Sequence, residues 1–268
     1  MKLTYLGTAA AEGIPAVFCP CPACVFARKT GGNEIRTRSG AMVDDTIKID
    51  FPPDAYMQSL RFGLDFSTLK HILITHTHRD HFCPPEFENC RRPYAQRPDG
   101  AEPVTVYGND KGRRMLRTYL KKGDLEYKTL KLYETCDIAG YRVSPLRAIH
   151  AFDQVAMFYL IEKDGKSILY AHDTDEFTDE HLEFLKGHRL SIVSLDCTNG
   201  VLEKDYVGHM GISDNLRMRE KLLTLGCADE RTVFVANHFS HNGVAPYGEM
   251  AARLTGFTVS YDGLTVEA

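Results

Sequence analysis

The densest group of metal-ligand side chains in this sequence is the segment His76-Thr77-His78-Arg79-Asp80-His81. It follows the apolar run Ile72-Leu73-Ile74-Thr75, which places an HxHxDH pattern at the end of a strand. Imidazole and carboxylate groups bind Zn²⁺, Mn²⁺ or Fe²⁺. The first two histidines can converge on one ion, and the aspartate and third histidine on a second. Two such ions generate a hydroxide nucleophile at neutral pH and hold a phosphate or acyl group. A chance cluster of solvent-facing histidines is the alternative, but only 11 of the 268 residues are histidine.

A second group of ligands is the CxCxxC segment Cys19-Pro20-Cys21-Pro22-Ala23-Cys24. Three thiolates at this spacing can occupy three corners of a tetrahedral Zn²⁺ site. The fourth ligand must come from elsewhere in the chain, and His241 is the candidate. It lies three residues after His238, so the two histidines can reach different sites. A redox pair or buried thiols without metal are the alternatives, but the prolines favour a tight loop over a redox helix terminus. The segment therefore predicts a structural zinc.

The elements that must position these ligands follow from composition and periodicity. Hydrophobic and charged contents of 43% and 25% are ordinary for a globular protein. Strand-like runs occur at 2–6, 41–50, 71–75, 103–107, 141–149, 154–162, 167–171, 190–195, 231–236 and 257–260. Helical patterns occur at 22–30, 53–61, 110–121, 178–187, 213–224 and 246–254, with Thr178 and Ser213 as predicted N-caps and Gly31-Gly32 and Gly187 as predicted C-caps. Hairpins among the alternating strands and helices argue against a purely doubly wound sheet. The pattern predicts an α/β (α+β) sandwich of two mixed β-sheets with helices outside.

Further polar residues follow the predicted strands. His150, Asp173 and His238 come after the runs 141–149, 167–171 and 231–236. Any one of them alone would be weak evidence, because polar residues end most strands. Their number, and their order after the HxHxDH segment, predict a site at one edge of the sheet sandwich.

HxHxDH followed by His150, Asp173 and His238 resembles the metallo-β-lactamase-fold hydrolases. The resemblance implies an αββα sandwich with a dinuclear metal site at one edge. It assigns His76, His78 and His150 to one ion, Asp80, His81 and His238 to the other, and Asp173 as a bridge between them. Asp175 is the alternative to Asp173, but the His-Asp-Thr context matches the Asp-Thr pair of the family. An aspartate bridge in place of a cysteine points to the phosphodiesterase and glyoxalase branches.

Together with the cysteine segment and the HxxH pattern at 238–241, the site resembles the PhnP-type phosphodiesterases of the carbon–phosphorus lyase pathway. Those enzymes act on cyclic phosphates of phosphorylated sugars. The resemblance implies one hydrolase domain over 1–268 with a zinc-binding cysteine loop at 19–24. It also implies two active-site ions, Zn or Mn with Fe as a third choice, and one structural Zn. Thioester or lactone hydrolysis is the alternative enzyme activity. The proteins of pyrroloquinoline quinone synthesis share a similar cysteine loop, so a binding or carrier protein is the non-enzymatic alternative.

Several residues receive roles beside the metal ligands. Asp80 is assigned to catalysis as well as to metal binding, and His209, in a Gly-flanked loop, is the candidate general acid. A histidine at the comparable place in the resembled phosphodiesterases supports that role, and bracing of the loop is the alternative. Asp50 and Asp196 are predicted to orient ligating imidazoles. The loops at 50–54 and 82–97 depart from the family pattern and are expected to decide the substrate. Arg91 and Arg92 either reach a phosphate or are solvated.

Net charge and hydropathy limit the classes of binding partner that the sequence supports. The net charge of −4 gives no support to a nucleic-acid-binding surface. The best basic patch lies on a predicted amphipathic helix and is interpreted as a solvated face; it comprises Lys111, Arg113, Arg114, Arg117, Lys121 and Lys122. No signal peptide and no apolar run of about 20 residues are evident, so a cytoplasmic location without membrane contact is expected. The expected partner is a small phosphodiester substrate. Nucleic acids are not expected as partners, apart from small cyclic nucleotides. The resemblance also suggests a homodimer.

Overall fold

Two mixed β-sheets and flanking helices make up the computed structural model, which describes residues 1–120, 123–202 and 207–268. The strands are β1 Lys2–Gly7, β2 Gly40–Val43, β3 Ile47–Ile49, β4 His71–Leu73, β5 Val104–Gly108, β6 Leu125–Thr129, β7 Cys136–Ile138, β8 Tyr141–Arg147, β9 Met157–Lys163, β10 Lys166–Ala171, β11 Ile192–Asp196, β12 Val233–Asn237, β13 Thr258–Val259 and β14 Thr265–Glu267. The helices are α1 Pro22–Thr30, α2 Ala55–Phe62, α3 Asp110–Leu116, α4 Asp179–Leu185, α5 Ile212–Leu225 and α6 Tyr247–Arg253. The first sheet has the order β14-β1-β2-β3-β4-β5-β6 and the second β13-β12-β11-β10-β9-β8-β7.

The two sheets pack face to face, and helices cover their outer faces. Along β9, Tyr159 and Ile161 join the core between the sheets, while Phe158 and Leu160 join the core on the outer face. That outer core also contains Leu222 of α5. Burial on both faces explains why such strands read as continuous apolar runs instead of alternating ones. The predicted αββα sandwich of two mixed sheets is confirmed.

The parallel parts of both sheets explain the placement of the polar residues. Strands β3 to β6 pair in parallel, as do β10 to β13. The carboxyl ends of parallel strands meet at one edge of a sheet, where ligands of open α/β sheets gather. Asp50, the segment 76–81, Asp173 and His238 each follow directly or within a few residues of such an end.

One predicted strand was wrong in detail, and three short strands were missed. The run 41–50 is two strands, β2 and β3, because Asp44 and Asp45 adopt positive φ angles of 48° and 55° and reverse the chain. Aspartate tolerates this conformation better than most residues. The short strands β6, β7 and β14 were not predicted. All three lie at sheet edges, where half-exposed side chains give weak periodicity.

The helices agree with the sequence pattern, with corrections at their ends. Gly31 caps the C-terminus of α1 and Thr178 the N-terminus of α4, as predicted. Ser213 is not an N-cap: α5 begins at Ile212, and the Gly211 N–H donates to Asp214 at 2.8 Å. Helix α3 ends at Leu116, earlier than predicted; Lys121 and Lys122 lie outside the described residues.

Lys48 of β3 is a fully buried cation beneath the polar edge of the first sheet. Its Nζ donates to the Asp50 carbonyl at 2.7 Å and lies 5.6 and 5.9 Å from the ring centroids of Phe51 and Phe66. Burial lowers the pKa of Lys48 to about 7, although the charge of Asp50 acts in the opposite direction. An unfolded lysine titrates near pH 10.4. Between about pH 7 and 10 the unfolded chain therefore binds more protons at this position, and stability rises with pH.

Replacement Lys48→Met is expected to remove this dependence. Between pH 7 and pH 10 the wild type should gain about 2–4 kcal/mol of unfolding free energy relative to the variant. Urea unfolding of both proteins at pH 7, 8.5 and 10 measures the difference, in which other titrating groups cancel. Parallel stability curves for the two proteins would show that the burial of Lys48 has no energetic consequence.

Candidate metal centre

Three imidazole nitrogens meet at one point of the polar edge. His76 Nε2 lies 2.9 Å from His78 Nδ1, and His150 Nε2 lies 3.1 Å from the same atom. Ligand atoms around a tetrahedral zinc are roughly 3.3 Å apart, given Zn–N distances of about 2.0–2.1 Å. Burial, together with the charge of His81, lowers the pKa of His76 well below its ordinary value, and burial also lowers the pKa of His150. Both imidazoles are therefore neutral, the form that binds a metal.

A second group lies next to the first. His81 Nε2 is 3.2 Å from Asp80 Oδ2 and 3.3 Å from His238 Nε2. The Asp80 and His238 atoms are 4.0 Å apart, so the three side chains could also surround one ion. Burial raises the pKa of Asp80, but the charge of His81 outweighs it and holds the pKa below its usual value.

Asp173 stands between the two groups. Its Oδ2 lies 2.7 Å from His81 Nε2 and 3.2 Å from His238 Nε2, and its Oδ1 lies 3.8 Å from His150 Nε2. Burial raises the pKa of Asp173, but the charges of His238 and His81 hold it well below the usual value, so the group is a carboxylate. Its Oδ2 is buried, and although two imidazole nitrogens lie close to it, no well-formed hydrogen bond reaches it from the part of the chain that the structure describes. A buried acceptor without a donor is costly, and a cation shared by the two groups would satisfy it. The donor set thus fits divalent metals.

Carboxylates and hydroxyls contact the opposite ring nitrogens of these histidines. Asp50 Oδ2 lies 2.6 Å from His81 Nδ1, and Asp196 Oδ2 lies 3.4 Å from His238 Nδ1. Asp196 also accepts the Asp173 N–H at 3.0 Å. Such contacts set the tautomer and the orientation of a ligating imidazole. This is the arrangement expected of the orienting role predicted for Asp50 and Asp196.

Two threonines that the sequence did not single out take part in the same support. Thr198 Oγ1 lies 2.8 Å from His238 Nδ1, and Thr75 Oγ1 lies 3.1 Å from His76 Nδ1. Thr75 also donates its N–H to Asp50 at 2.8 Å. Their only signal in the sequence is their position just after a strand, which many threonines share.

His209 reaches the site from a loop. Its Nδ1 lies 3.1 Å from Asp196 Oδ2 and 3.5 Å from Asp173 Oδ1. Gly208 makes this approach feasible: its φ is 85°, and a Cβ there would lie only 3.0 Å from the Ile149 carbonyl oxygen. Burial lowers the pKa of His209, but Asp196 outweighs it and raises the pKa to about 9. The contact with Asp196 therefore favours the protonated imidazole.

Five of the seven predicted ligands line a cavity of about 190 Å³. It is lined by Ala10, Ala11, Glu12, His78, Asp80, His150, Asp173, Thr198, His209, His238, Ser240 and Asn242. The structure thus brings together the seven side chains predicted as ligands, with His209 on the same wall. His172, next to Asp173 in the chain, faces elsewhere: burial lowers its pKa to about 3, and its Nε2 lies 2.7 Å from Ser194 Oγ.

A family model described as the beta-lactamase superfamily domain matches residues 46–239. The chain belongs to this superfamily. It is a metal-dependent hydrolase of the metallo-β-lactamase fold. The match includes the segment 76–81, His150, Asp173 and His238, whereas β1, β14 and the cysteine segment lie outside it. That residues 1–268 form one domain stays a prediction.

Several solved structures are similar to this superfamily member. A diphosphatase of the PhnP family is 25% identical with a TM-score of 0.78, over 99% of this chain and 96% of the other. Zn²⁺-bound PqqB from Methylobacterium extorquens is 17% identical with a TM-score of 0.75, over 100% of both chains. An isothiocyanate hydrolase from Delia radicum gut bacteria is 15% identical with a TM-score of 0.58, over 100% of this chain and 99% of the other. The last two support the fold alone. No curated protein matches the chain by sequence.

The cysteine segment and His241 form a separate cluster. His241 Nδ1 lies 3.5 Å from Cys19 Sγ and 3.3 Å from Cys21 Sγ, and Cys24 completes a group that could hold a metal. Burial raises the pKa of Cys21, but hydrogen bonds from His241 and the Cys24 backbone outweigh it and lower the pKa to about 6. Burial raises the pKa of Cys24 to about 11. Three thiol sulfurs and one imidazole nitrogen are a donor set that fits a tetrahedral Zn²⁺.

Arg91 and Arg92, for which phosphate binding and solvation were the two alternatives, do not line the cavity at the metal ligands. Arg91 pairs with Glu88, and Arg92 lies 3.6 Å from Asp99. In the proposed basic patch, Arg113 and Arg114 are exposed and Lys111 pairs with Asp153, which agrees with a solvated helix face. None of the helices in the described ranges combines the length and apolar character that crossing a membrane requires.

Proposed function

We propose that this chain hydrolyses small phosphodiesters, cyclic phosphates among them, with two divalent metal ions. His76, His78 and His150 would hold one ion, and Asp80, His81 and His238 the other. The observation that supports a shared site is the position of Asp173, whose carboxylate oxygens lie 2.7 Å from His81 and 3.8 Å from His150. Zn²⁺ and Mn²⁺ both suit this nitrogen and oxygen donor set.

When bound, the ions would supply a nucleophile at neutral pH and neutralise charge on the phosphoryl oxygens. The chain provides the rest of the chemistry. Asp50 and Asp196 contact the Nδ1 atoms of His81 and His238 and so keep the Nε2 atoms of both rings turned toward Asp173. The cavity of about 190 Å³ is large enough to admit the reacting group.

His209 is proposed as the general acid that protonates the leaving oxygen. Asp196 occupies its Nδ1 at 3.1 Å and stabilises the protonated ring, which leaves Nε2 as the nitrogen that can reach a substrate in the cavity. An alkoxide is a poor leaving group and needs a proton, whereas p-nitrophenolate does not.

His209→Gln is therefore expected to act selectively. It should lower kcat about 10²- to 10⁴-fold on a cyclic ribose phosphate but less than about tenfold on bis-p-nitrophenyl phosphate. Steady-state kinetics on both substrates, with metal content measured for each preparation, make the comparison. Equal losses on the two substrates would contradict the acid role and favour bracing of the loop.

A substrate panel tests the proposed reaction itself. Wild type and Asp80→Ala, matched for metal content, are assayed on bis-p-nitrophenyl phosphate, phosphoribosyl 1,2-cyclic phosphate, 2′,3′-cyclic nucleotides and a thioester. We expect phosphodiester turnover by the wild type and a loss of at least about 10³-fold in Asp80→Ala. Thioester turnover without phosphodiester turnover in the metal-replete wild type would overturn the proposal in favour of the acyl hydrolase alternative.

A further inference from the structure

A second, larger cleft adjoins the catalytic cavity. Its volume is about 650 Å³, against about 190 Å³ for the cavity at the metal ligands. Glu12 lines both of them. When the reacting group of a ligand fills the small cavity, the rest of the ligand can lie in this larger cleft. The lining of this outer cleft comprises Glu12, Ala16, Val17, Phe18, Cys19, Pro20, Arg38, Pro53 and Arg79.

Three charged side chains line the outer cleft, and two of them have partners. Arg38 Nη1 lies 2.9 Å from Asp54 Oδ1, and Glu12 Oε1 accepts the Ser240 hydroxyl at 2.6 Å. Arg79 is exposed and makes no hydrogen bond or ion pair within the described ranges 1–120, 123–202 and 207–268. It is the cation of the lining that is free to bind a ligand.

The chain holds Arg79 next to the candidate metal ligands, in the lining of the outer cleft. Its neighbours in sequence are His78 and Asp80, one from each group of candidate ligands. Consecutive Cα atoms are about 3.8 Å apart, so the backbone of Arg79 cannot move away without displacing those ligands. An arginine presents its donors in a planar fork that matches phosphate or carboxylate oxygens.

Part of the lining of the outer cleft is apolar and exposed. Val17 and Phe18 are 70% and 97% exposed, and they directly precede Cys19 of the cysteine cluster. The cluster ties this short segment to His241, three residues beyond His238. A flat apolar ring that packs on Phe18 would thus remain next to the metal ligands.

We propose that Arg79 determines specificity by binding a second anionic group of the substrate, remote from the scissile phosphate. The ligand class is a small phosphodiester that carries a further phosphate and a ring, as a phosphorylated cyclic nucleotide does. This inference rests on the proposed phosphodiesterase function for the reacting end of the molecule. It assigns the non-reacting end to the outer cleft.

A matched pair of substrates tests the role of Arg79. Adenosine 2′,3′-cyclic phosphate and its 5′-phosphorylated form differ only in the second phosphate. For the wild type we expect kcat/KM to be higher for the 5′-phosphorylated form. Arg79→Ala should lower that value by about tenfold to a hundredfold, mainly through KM, and change the value for the other substrate less than about threefold. Arg79→Lys should retain part of the preference, and Arg113→Ala, an exposed arginine of α3, all of it.

Binding of the products separates this inference from the proposed function. Calorimetry compares adenosine 3′,5′-bisphosphate with adenosine 3′-phosphate on metal-loaded wild type and Arg79→Ala. A preference of about tenfold for the bisphosphate that Arg79→Ala abolishes supports the inference, even if the wild type cleaves neither cyclic nucleotide and the proposed function fails. No preference in the wild type, or an unchanged preference in Arg79→Ala, overturns it, even if both substrates are cleaved. Equal metal content in the two proteins excludes an indirect effect on the ligands.

Discussion

Asp173→Asn is expected to abolish most of the hydrolytic activity, with a loss of at least about 10³-fold in kcat/KM. The carboxylate lies within 3.2 Å of His81 Nε2 and His238 Nε2, and within 3.8 Å of His150. An asparagine of the same size removes the negative charge and turns an amide toward nitrogens that need a metal or an acceptor. Because both candidate ligand groups share this side chain, metal content should also fall, by roughly one equivalent per chain.

Asp175→Asn is the matched control. Asp175 lies two residues further along, is only partly buried and belongs to none of the candidate metal groups in the described chain. Its replacement should leave activity and metal content within about threefold of the wild type. Inductively coupled plasma analysis and kinetics on the preferred phosphodiester, with circular dichroism to verify folding, decide between the two positions. A larger loss of activity and metal in Asp175→Asn than in Asp173→Asn would show that Asp175, and not Asp173, is the bridging aspartate.

Cys21→Ser should have the second large effect, on stability. Cys21 Sγ lies 3.3 Å from His241 Nδ1, and the cluster joins the segment after β1 to the loop after β12. A zinc held there would close a loop of the chain longer than 200 residues, and its binding free energy would contribute to folding. We expect loss of one zinc per chain and a decrease of about 2–4 kcal/mol in unfolding free energy, or about 5–15 °C in Tm.

Cys136→Ser serves as the control for that variant. Cys136 lies on the edge strand β7, and its Sγ contacts the Val143 carbonyl at 3.6 Å. It should retain all zinc and shift Tm by less than about 3 °C. Metal analysis with thermal unfolding, before and after a chelator, separates the cluster from the catalytic ions. Undiminished zinc and an unchanged Tm in Cys21→Ser would reject a structural zinc at this position.

The role proposed for Arg79 concerns the choice of substrate, whereas the two predictions above concern the metal sites. If the 5′-phosphate preference depends on Arg79, the substrate is selected in the outer cleft and the metals act on whatever phosphate reaches them. The loop at 82–97, which also departs from the family pattern, does not contribute to the lining of either cavity. From the loop at 50–54, Pro53 lines the outer cleft.

Local sequence determined the two sets of candidate ligands and the type of fold. HxHxDH and CxCxxC are readable because their members lie within a few residues of one another, where strand and loop geometry bring them together without long-range contacts. The sandwich was predictable because strands buried on both faces must be apolar along their whole length. The edge strands β6, β7 and β14 were not, since exposure on one side weakens that requirement.

Only the tertiary structure decided how these distant side chains pair with one another in the site. Asp50 meets His81 across 31 residues, and Thr198 meets His238 across 40. Such pairs have no spacing rule, because the distance between them is set by the packing of whole strands. The pairing of charges is likewise decided by the fold. Arg79, Arg91 and Arg92 cannot be told apart by residue type. In the structure Glu88 pairs with Arg91 and Asp99 lies near Arg92, while Arg79 has no partner within the described residues. The sequence alone thus determined the ligand chemistry, while the tertiary structure decided which charges remain available to a substrate.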